Sequence, residues 1–199
     1  MKKILHLVFA IVCISLLACS KEATDSSGLK EDLNENSIIT LDNGVMIEKT
    51  DGYYVVRFPE TRASSAMEIH IKGDRLYTDR HMWVYPKKSY DGRYIVGITP
   101  VILNWIGTIV YVDAECNLDQ DLDADDMFGF IDSPGGIGYY ELLMPWAGRP
   151  VERNLDLIDK PELLNQAPYD TWISRLVLYN FQEDSLMNAL QYAYFISSL

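Results

Sequence analysis

Hydrophobic and polar residues alternate through the first half of the chain as β-strands require. Apolar or β-branched runs at 38–41, 45–49 and 53–58 are separated by Asn43-Gly44 and Asp51-Gly52. These dipeptides are strong hairpin signals because both of their residues tolerate positive φ. The pattern therefore predicts three short strands joined by tight turns.

The alternation continues toward residue 98. Met67, Ile69 and Ile71 are interleaved with polar residues, which predicts a half-buried strand. Shorter apolar runs predict further strands at 76–78, 81–85 and 94–98. Together these segments predict an antiparallel β-meander.

Residues 95–112 carry no charge and have two interpretations. One is a pair of buried strands joined near Thr99-Pro100, and the other is a membrane span of about 18 residues. Gly97, Pro100 and Gly107 interrupt the stretch, and its β-branched residues favour the two strands.

The last third of the chain changes to helical spacing. Asp159-Lys160-Pro161-Glu162 is typical of a helix start, and a second helix is predicted from Pro168 and a third from about Asp184. Strands followed by helices predict an α+β fold, with the C-terminal helices packed on the meander in one domain at 38–199.

The N-terminus has the organisation of a cleaved export signal. Lys2 and Lys3 precede an uncharged apolar stretch at 4–17, which ends in Leu16-Leu17-Ala18-Cys19. These four residues resemble the lipobox of bacterial lipoprotein precursors. The resemblance implies a signal peptide at 1–18, lipidation of Cys19 with diacylglycerol and palmitate, and membrane lipid as a partner.

Residues 19–37 are polar and predict a flexible acidic tether. Its start, Ser20-Lys21-Glu22, resembles the export signal of Bacteroidota-type surface lipoproteins. The resemblance implies a protein anchored in the cell outer membrane, either on the periplasmic side or exposed at the surface.

The net charge and the number of cysteines argue against nucleic acid as a partner and against a disulfide bond within the domain. A net charge of −12 argues against a nucleic-acid-binding protein, which needs a basic face. Apart from Cys13 in the signal and Cys19, Cys116 is the remaining cysteine, so no disulfide is expected within the domain.

The most concentrated candidate site is an acidic loop. Asp119, Asp121, Asp123 and Asp125 alternate with other residues, and Asp132 follows. Calcium binds six to eight oxygen atoms, which such a loop can supply. Neither register of an EF-hand loop fits fully, so a calcium site and a solvated acidic loop both remain open.

Catalytic motifs are scarce. His70 and His81 are the histidines of the predicted domain, and no zinc-protease, nucleophile-elbow or phosphate-loop motif occurs. A Cys116–His dyad depends on a contact that the sequence does not establish. The sequence leaves enzymatic activity undecided and favours a non-enzymatic role.

Aromatic residues supply a second candidate site. Trp83 and Tyr85, with Tyr90 and Trp105, could stack on a sugar ring, although alternating aromatic residues often fill a core. The leading hypothesis is a non-enzymatic lipoprotein of the cell envelope that binds a protein or glycan partner. The alternatives are an inhibitor or immunity-type protein against a basic toxin or hydrolase, and a glycan-acting hydrolase.

Overall fold

The computed structural model describes residues 33–62, 64–89, 91–134 and 139–199. Across these ranges the chain forms three antiparallel sheets with four short helices. The predicted signal peptide at 1–18 and most of the predicted tether at 19–37 lie outside the described residues. The boundaries 1–18, 19–37 and 38–199 stay a prediction.

The first sheet has four strands in chain order. Gly44 and Gly52, with φ of +81° and +75°, form the turns that the sequence predicts. The strands are β1 (Ile38–Thr40), β2 (Met46–Thr50), β3 (Tyr53–Phe58) and β4 (Met67–Lys72).

The other two sheets contain the remaining strands. The five-stranded sheet has the order β11-β12-β7-β6-β5, and the three-stranded sheet has the order β10-β9-β8. The strand bounds are β5 (Leu76–Tyr77), β6 (Met82–Tyr85), β7 (Tyr94–Ile98), β8 (Tyr111–Asp113), β9 (Met127–Asp132), β10 (Tyr140–Leu143), β11 (Gly148–Arg153) and β12 (Ser174–Leu178).

The helices are short and fill gaps between strands. Asn188 caps the longest of them in a capping box with Gln191. The four helices are α1 (Pro100–Ile106), α2 (Asp156–Asp159), α3 (Leu163–Gln166) and α4 (Ala189–Ser197).

The predicted α+β class is wrong, because in the described residues twelve strands in three antiparallel sheets form most of the regular structure and the four helices are short. The apolar positions after Pro168 form strand β12, in which Ser174, Leu176 and Leu178 are buried with period two. Residues 95–112 are also not two consecutive strands. Pro100 occupies the first turn of α1, where its missing N–H costs nothing.

Two hydrophobic cores hold the sheets. Phe128, Ile131 and Leu142 of the three-stranded sheet pack with Met82 and Val96 of the five-stranded sheet. The second core joins the first sheet to α4 and to the aromatic side chains of β5 and β6; its members include Ile47, Val56, Ile71, Tyr77, Trp83, Tyr192 and Ile196. No helix within the described ranges is long and apolar enough to cross a membrane.

Candidate functional site

The turn between β5 and β6 separates an exposed pair of charges from a buried histidine. The Thr78 hydroxyl accepts the backbone N–H groups of Arg80 and Met82, both at 3.2 Å. His81 has a φ of +57°, a conformation that is uncommon for a residue other than glycine. The turn leaves Asp79 and Arg80 exposed and directs the imidazole of His81 into the second core.

Asp79 and Arg80 line a cavity of about 340 Å³. Leu143, at the end of β10, also lines it, together with Met144 and Trp146 on the connection between β10 and β11. Further lining residues come from 124–125 and 185–187. Segments distant in sequence thus meet around one concave surface, which is typical of a binding site.

A second cavity of about 350 Å³ adjoins the first and shares Arg80 and Leu143 with it. Tyr139, Tyr140 and Glu141 line it from the β9–β10 hairpin. The Tyr140 hydroxyl donates a hydrogen bond to the Arg80 carbonyl, and burial raises the pKa of that hydroxyl above its usual value. This bond fixes the hairpin against the β5–β6 turn.

The side chains of these cavities suit binding more than catalysis. Their charged groups are Asp79, Arg80, Asp125 and Glu141, and the described lining residues include no histidine, cysteine or lysine. His81 faces away and bonds Tyr192. A nucleophile with a neighbouring general base is therefore not assembled by the described lining residues.

The acidic loop is held by its own protein contacts. Asp121 accepts hydrogen bonds from Arg149, at 2.9 Å from Nε, and from the Tyr179 hydroxyl. These two bonds lower the pKa of Asp121, with the Tyr179 bond the larger cause. The Asp126 carboxylate accepts the N–H of Asp123 at 2.9 Å.

The structure does not gather the predicted calcium ligands. Asp119, Asp121, Asp123 and Asp125 lie in the exposed loop, and Asp132 lies at the end of β9. Within the described ranges, no group of three or more His, Cys, Asp or Glu residues is arranged to hold a metal ion. The calcium site stays a prediction without a pre-formed geometry.

Of the four predicted sugar-stacking residues, Trp83 is buried and Tyr85 half-buried, whereas Trp105 is 48% exposed and Tyr90 lies outside the described residues. Trp83 is 2% exposed, and its Nε1 donates to the Pro168 carbonyl at 2.9 Å. Tyr85 is half-buried beneath the Arg75 guanidinium, which lies 4.3 Å from the ring centroid. Burial closes the Trp83 ring to a ligand, and Arg75 covers one face of the Tyr85 ring. Cys116 is half-buried, and burial and Asp113 raise the pKa of its thiol.

Sequence reasoning missed the residues that form the two cavities. Arg80, Tyr140 and Trp146 belong to separate segments, and no spacing rule connects them. One local signal was available. Thr78-Asp79 between two strands is typical of a turn that presents a charged side chain.

Residues 75–199 match the family model described as glycine cleavage H-protein. A probable glycine cleavage system H protein of Thermococcus gammatolerans is 34% identical over 134 residues, which cover 66% of this chain and 96% of the relative. The H protein of Oceanobacillus iheyensis is 35% identical over 125 residues, 62% of this chain and 94% of the relative.

A solved structure agrees with these relatives. The glycine cleavage system H protein of Mycobacterium marinum superposes with a TM-score of 0.55 at 28% identity, covering 65% of this chain and all of that one. The family match begins at residue 75, so the four-stranded sheet β1–β4 lies outside it.

These matches correct several interpretations of the sequence. The relatives are H proteins of the glycine cleavage system, so the interpretation as an unrecognised membrane-anchored lipoprotein is wrong, as are its inhibitor and glycan-hydrolase alternatives. The predictions of palmitate, of membrane lipid as a partner and of an outer-membrane location were parts of the same interpretation and are wrong for the same reason. They depended on about twenty N-terminal residues that carry no information about the domain. Cys19, the predicted lipid acceptor, lies outside the described residues.

Proposed function

Because the chain belongs to the glycine cleavage H-protein family, we propose that it is a member that binds another protein of the glycine cleavage system and carries no lipoyl group. Proteins of this family carry lipoate on a lysine. The proposal therefore depends on where this chain has lysines.

The observation that carries the proposal is a lysine-free segment. No lysine occurs between Lys88 and Lys160, a stretch that includes the whole β9–β10 hairpin. The hairpin borders both cavities through Tyr139–Leu143. The residues that join β9 to β10 along the chain, 133–139, read Ser-Pro-Gly-Gly-Ile-Gly-Tyr and offer no side-chain amine for a tethered group. The residues here do not fit a lipoyl attachment site.

The three lysines of the family-matched segment lie elsewhere. Lys87 and Lys88 are exposed on the connection between β6 and β7, where the Lys88 Nζ lies 5.3 Å from the centroid of the Tyr94 ring. Lys160 follows α2, and its N–H donates to the Asp156 carbonyl. None of the three lines either cavity.

The fold and the two cavities of this chain are suited to binding another protein. It has the H-protein scaffold, two adjoining cavities and a mixed set of charged and apolar lining residues. Mixed apolar and charged surfaces are typical of protein interfaces.

The decisive experiment is enzymatic lipoylation followed by intact-mass measurement. The purified chain is incubated with a lipoate–protein ligase, ATP and lipoate, beside the H protein of Oceanobacillus iheyensis as a positive control. We expect the control to gain the mass of one lipoyl group and this chain to gain none. A lipoyl group on this chain would contradict the proposal, and peptide mapping would assign it to Lys87, Lys88 or another lysine.

Binding is tested separately, by isothermal titration of the same chain with each of the other proteins of the glycine cleavage system. We expect saturable binding to at least one of them. Arg80→Ala, which alters both cavities at an exposed position, should weaken a complex formed there. Absence of binding to all of them would overturn this half of the proposal.

A further inference from the structure

The outer face of the three-stranded sheet carries an alternating grid of rings and carboxylates. In the register of β8 with β9, Tyr111 lies opposite Asp132 and Asp113 lies opposite Phe130. In the register of β9 with β10, Phe130 lies opposite Glu141. Tyr140 pairs with Ile131, so Tyr139 is level with Asp132. The six residues, called here the acid–aromatic face, are Tyr111, Asp113, Phe130, Asp132, Tyr139 and Glu141.

The three rings of this face form one row. The centroids of Tyr111 and Phe130 are 5.8 Å apart, and those of Phe130 and Tyr139 are 5.9 Å apart. Tyr111 is 49% exposed and Tyr139 is 62% exposed. The row therefore presents a continuous aromatic surface that the described part of the protein does not cover.

The three carboxylates of this face are not neutralised by neighbours. In the part of the chain that the structure describes, Asp113, Asp132 and Glu141 form no ion pair. Acids nearby in sequence are paired, since Glu115 contacts Arg153 at 2.5 Å and Asp121 contacts Arg149 at 2.8 Å. The strand registers place an aromatic residue opposite each of these carboxylates, so a cation that approaches the rings also meets negative charge.

We propose that the acid–aromatic face docks an extended, arginine-rich segment of a protein partner. A guanidinium stacks on an aromatic ring and also forms hydrogen bonds with carboxylates, so a single arginine side chain can contact both the rings and the carboxylates of this face. Alternate side chains of an extended peptide are about 6.7 Å apart. That spacing is close to the ring separations of 5.8 and 5.9 Å.

Charge selects this occupant over a sugar. A neutral glycan can stack on the rings, but it leaves three carboxylates without a counter-charge, whereas an arginine-rich segment supplies one. The inference rests on the proposed protein-binding function and names the chemistry of the partner and the surface that it contacts. Binding to the other glycine cleavage proteins is measured by isothermal titration and binding of the arginine-rich segment by peptide anisotropy, so failure of one proposal is distinguishable from failure of the other.

The test uses a fluorescein-labelled peptide of alternating arginine and serine, with fluorescence anisotropy as the measurement. We expect saturable binding to the purified chain, weakened by added salt because the charges are exposed. Asp132→Asn with Glu141→Gln removes two charges and keeps side-chain size, and should weaken binding roughly tenfold. Tyr111→Ala with Tyr139→Ala should weaken it by a similar factor.

Matched controls separate this face from the general acidity of the chain. Asp156→Asn with Glu162→Gln removes two exposed charges elsewhere and should leave the affinity within about twofold. Tyr111→Phe with Tyr139→Phe keeps the rings and should retain binding. Circular dichroism confirms folding of each variant.

Three results would overturn the inference. The first is that the peptide does not bind at low salt. The second is that Asp156→Asn with Glu162→Gln weakens binding as much as Asp132→Asn with Glu141→Gln. The third is that a neutral glucan oligosaccharide binds through Tyr111 and Tyr139 while the arginine peptide does not bind.

Discussion

The imidazole Nδ1 of His81 lies 2.7 Å from the hydroxyl oxygen of Tyr192, which links the β5–β6 turn to the C-terminal helix. The same hydroxyl lies 3.0 Å from the Thr99 hydroxyl at the start of α1. His81 is 5% exposed, and the Trp105 and Phe195 rings lie against its imidazole. Three segments of the chain therefore meet at one buried polar cluster.

Stability should fall as this histidine is forced to take a proton. Burial lowers the pKa of His81 to about 4, and the charge of Asp79 opposes this shift weakly. Between an unfolded pKa of about 6.5 and the folded value, the unfolded chain binds a proton that the folded chain does not. The free energy of unfolding therefore decreases as pH falls through this window.

Urea denaturation measured from about pH 7 to about pH 4.5 checks this expectation. His81→Gln should flatten the profile across the window. Parallel slopes for wild type and His81→Gln would show that the pH dependence has another origin.

Tyr192→Phe should destabilise the domain by about 1–3 kcal/mol, because it removes one hydroxyl and leaves His81 and Thr99 without that partner in a buried setting. The melting temperature should fall by several degrees, at roughly 2–4 °C per kcal/mol for a domain of this size. Tyr194→Phe, on the same helix at a half-buried position, is the matched control and should melt like wild type.

Local signals in the sequence predicted the first sheet well and the last third poorly. Asn43-Gly44 and Asp51-Gly52 form the turns around β2, because a positive φ is decided by the residues themselves. Residues 173–178 have apolar positions that fit both helical and strand spacing. Pairing with β7 and β11 decides in favour of the strand, and pairing partners distant in sequence leave no local signal.

The same limit applies to the sites. Arg80 and Tyr140 are sixty residues apart in the chain, yet they are joined by a hydrogen bond. The rings of Tyr111, Phe130 and Tyr139 come together only when β8, β9 and β10 pair. Trp83 illustrates the opposite error. Its aromatic neighbours indicated a binding surface, but the packing of Gly97 against its ring makes it part of the core.

Gly97→Ala should be strongly destabilising. A Cβ at this position would lie 2.3 Å from Cζ2 of Trp83, and that ring is fixed by its hydrogen bond to Pro168. Overpacking of this kind costs typically about 1–3 kcal/mol. In a double-mutant cycle of denaturant midpoints, Trp83→Phe should recover part of the loss, because the smaller ring makes room for the methyl group. Simple additivity of the two changes would contradict a direct clash.

Calcium should leave the melting curve unchanged. Asp121 is already bonded to Arg149 and Tyr179, and the described acids form no metal-binding group. A ligand at a hundredfold excess over its dissociation constant would stabilise the folded state by about 2.7 kcal/mol, which is easily detected. Thermal unfolding in millimolar calcium and in chelator should therefore superimpose. A higher melting temperature that disappears in Asp121→Asn with Asp123→Asn would instead establish the calcium site that the sequence predicts.

Ile137→Lys should convert the chain into a lipoyl acceptor. Ile137 is the residue between Pro134 and Tyr139 that is not glycine, so its replacement leaves the three glycines of this segment intact. Residue 137 lies outside the described residues, but it belongs to the segment that joins β9 to β10, and Leu143 of β10 lines both cavities. After incubation with ligase and lipoate, the intact mass should rise by one lipoyl group in Ile137→Lys and stay unchanged in the wild type. Ile137→Arg, which adds the charge without an acylatable amine, is the control. If Ile137→Lys remains unmodified while the Oceanobacillus iheyensis protein is fully loaded, the ligase does not recognise this hairpin, and more than one residue separates this chain from the lipoylated members of its family.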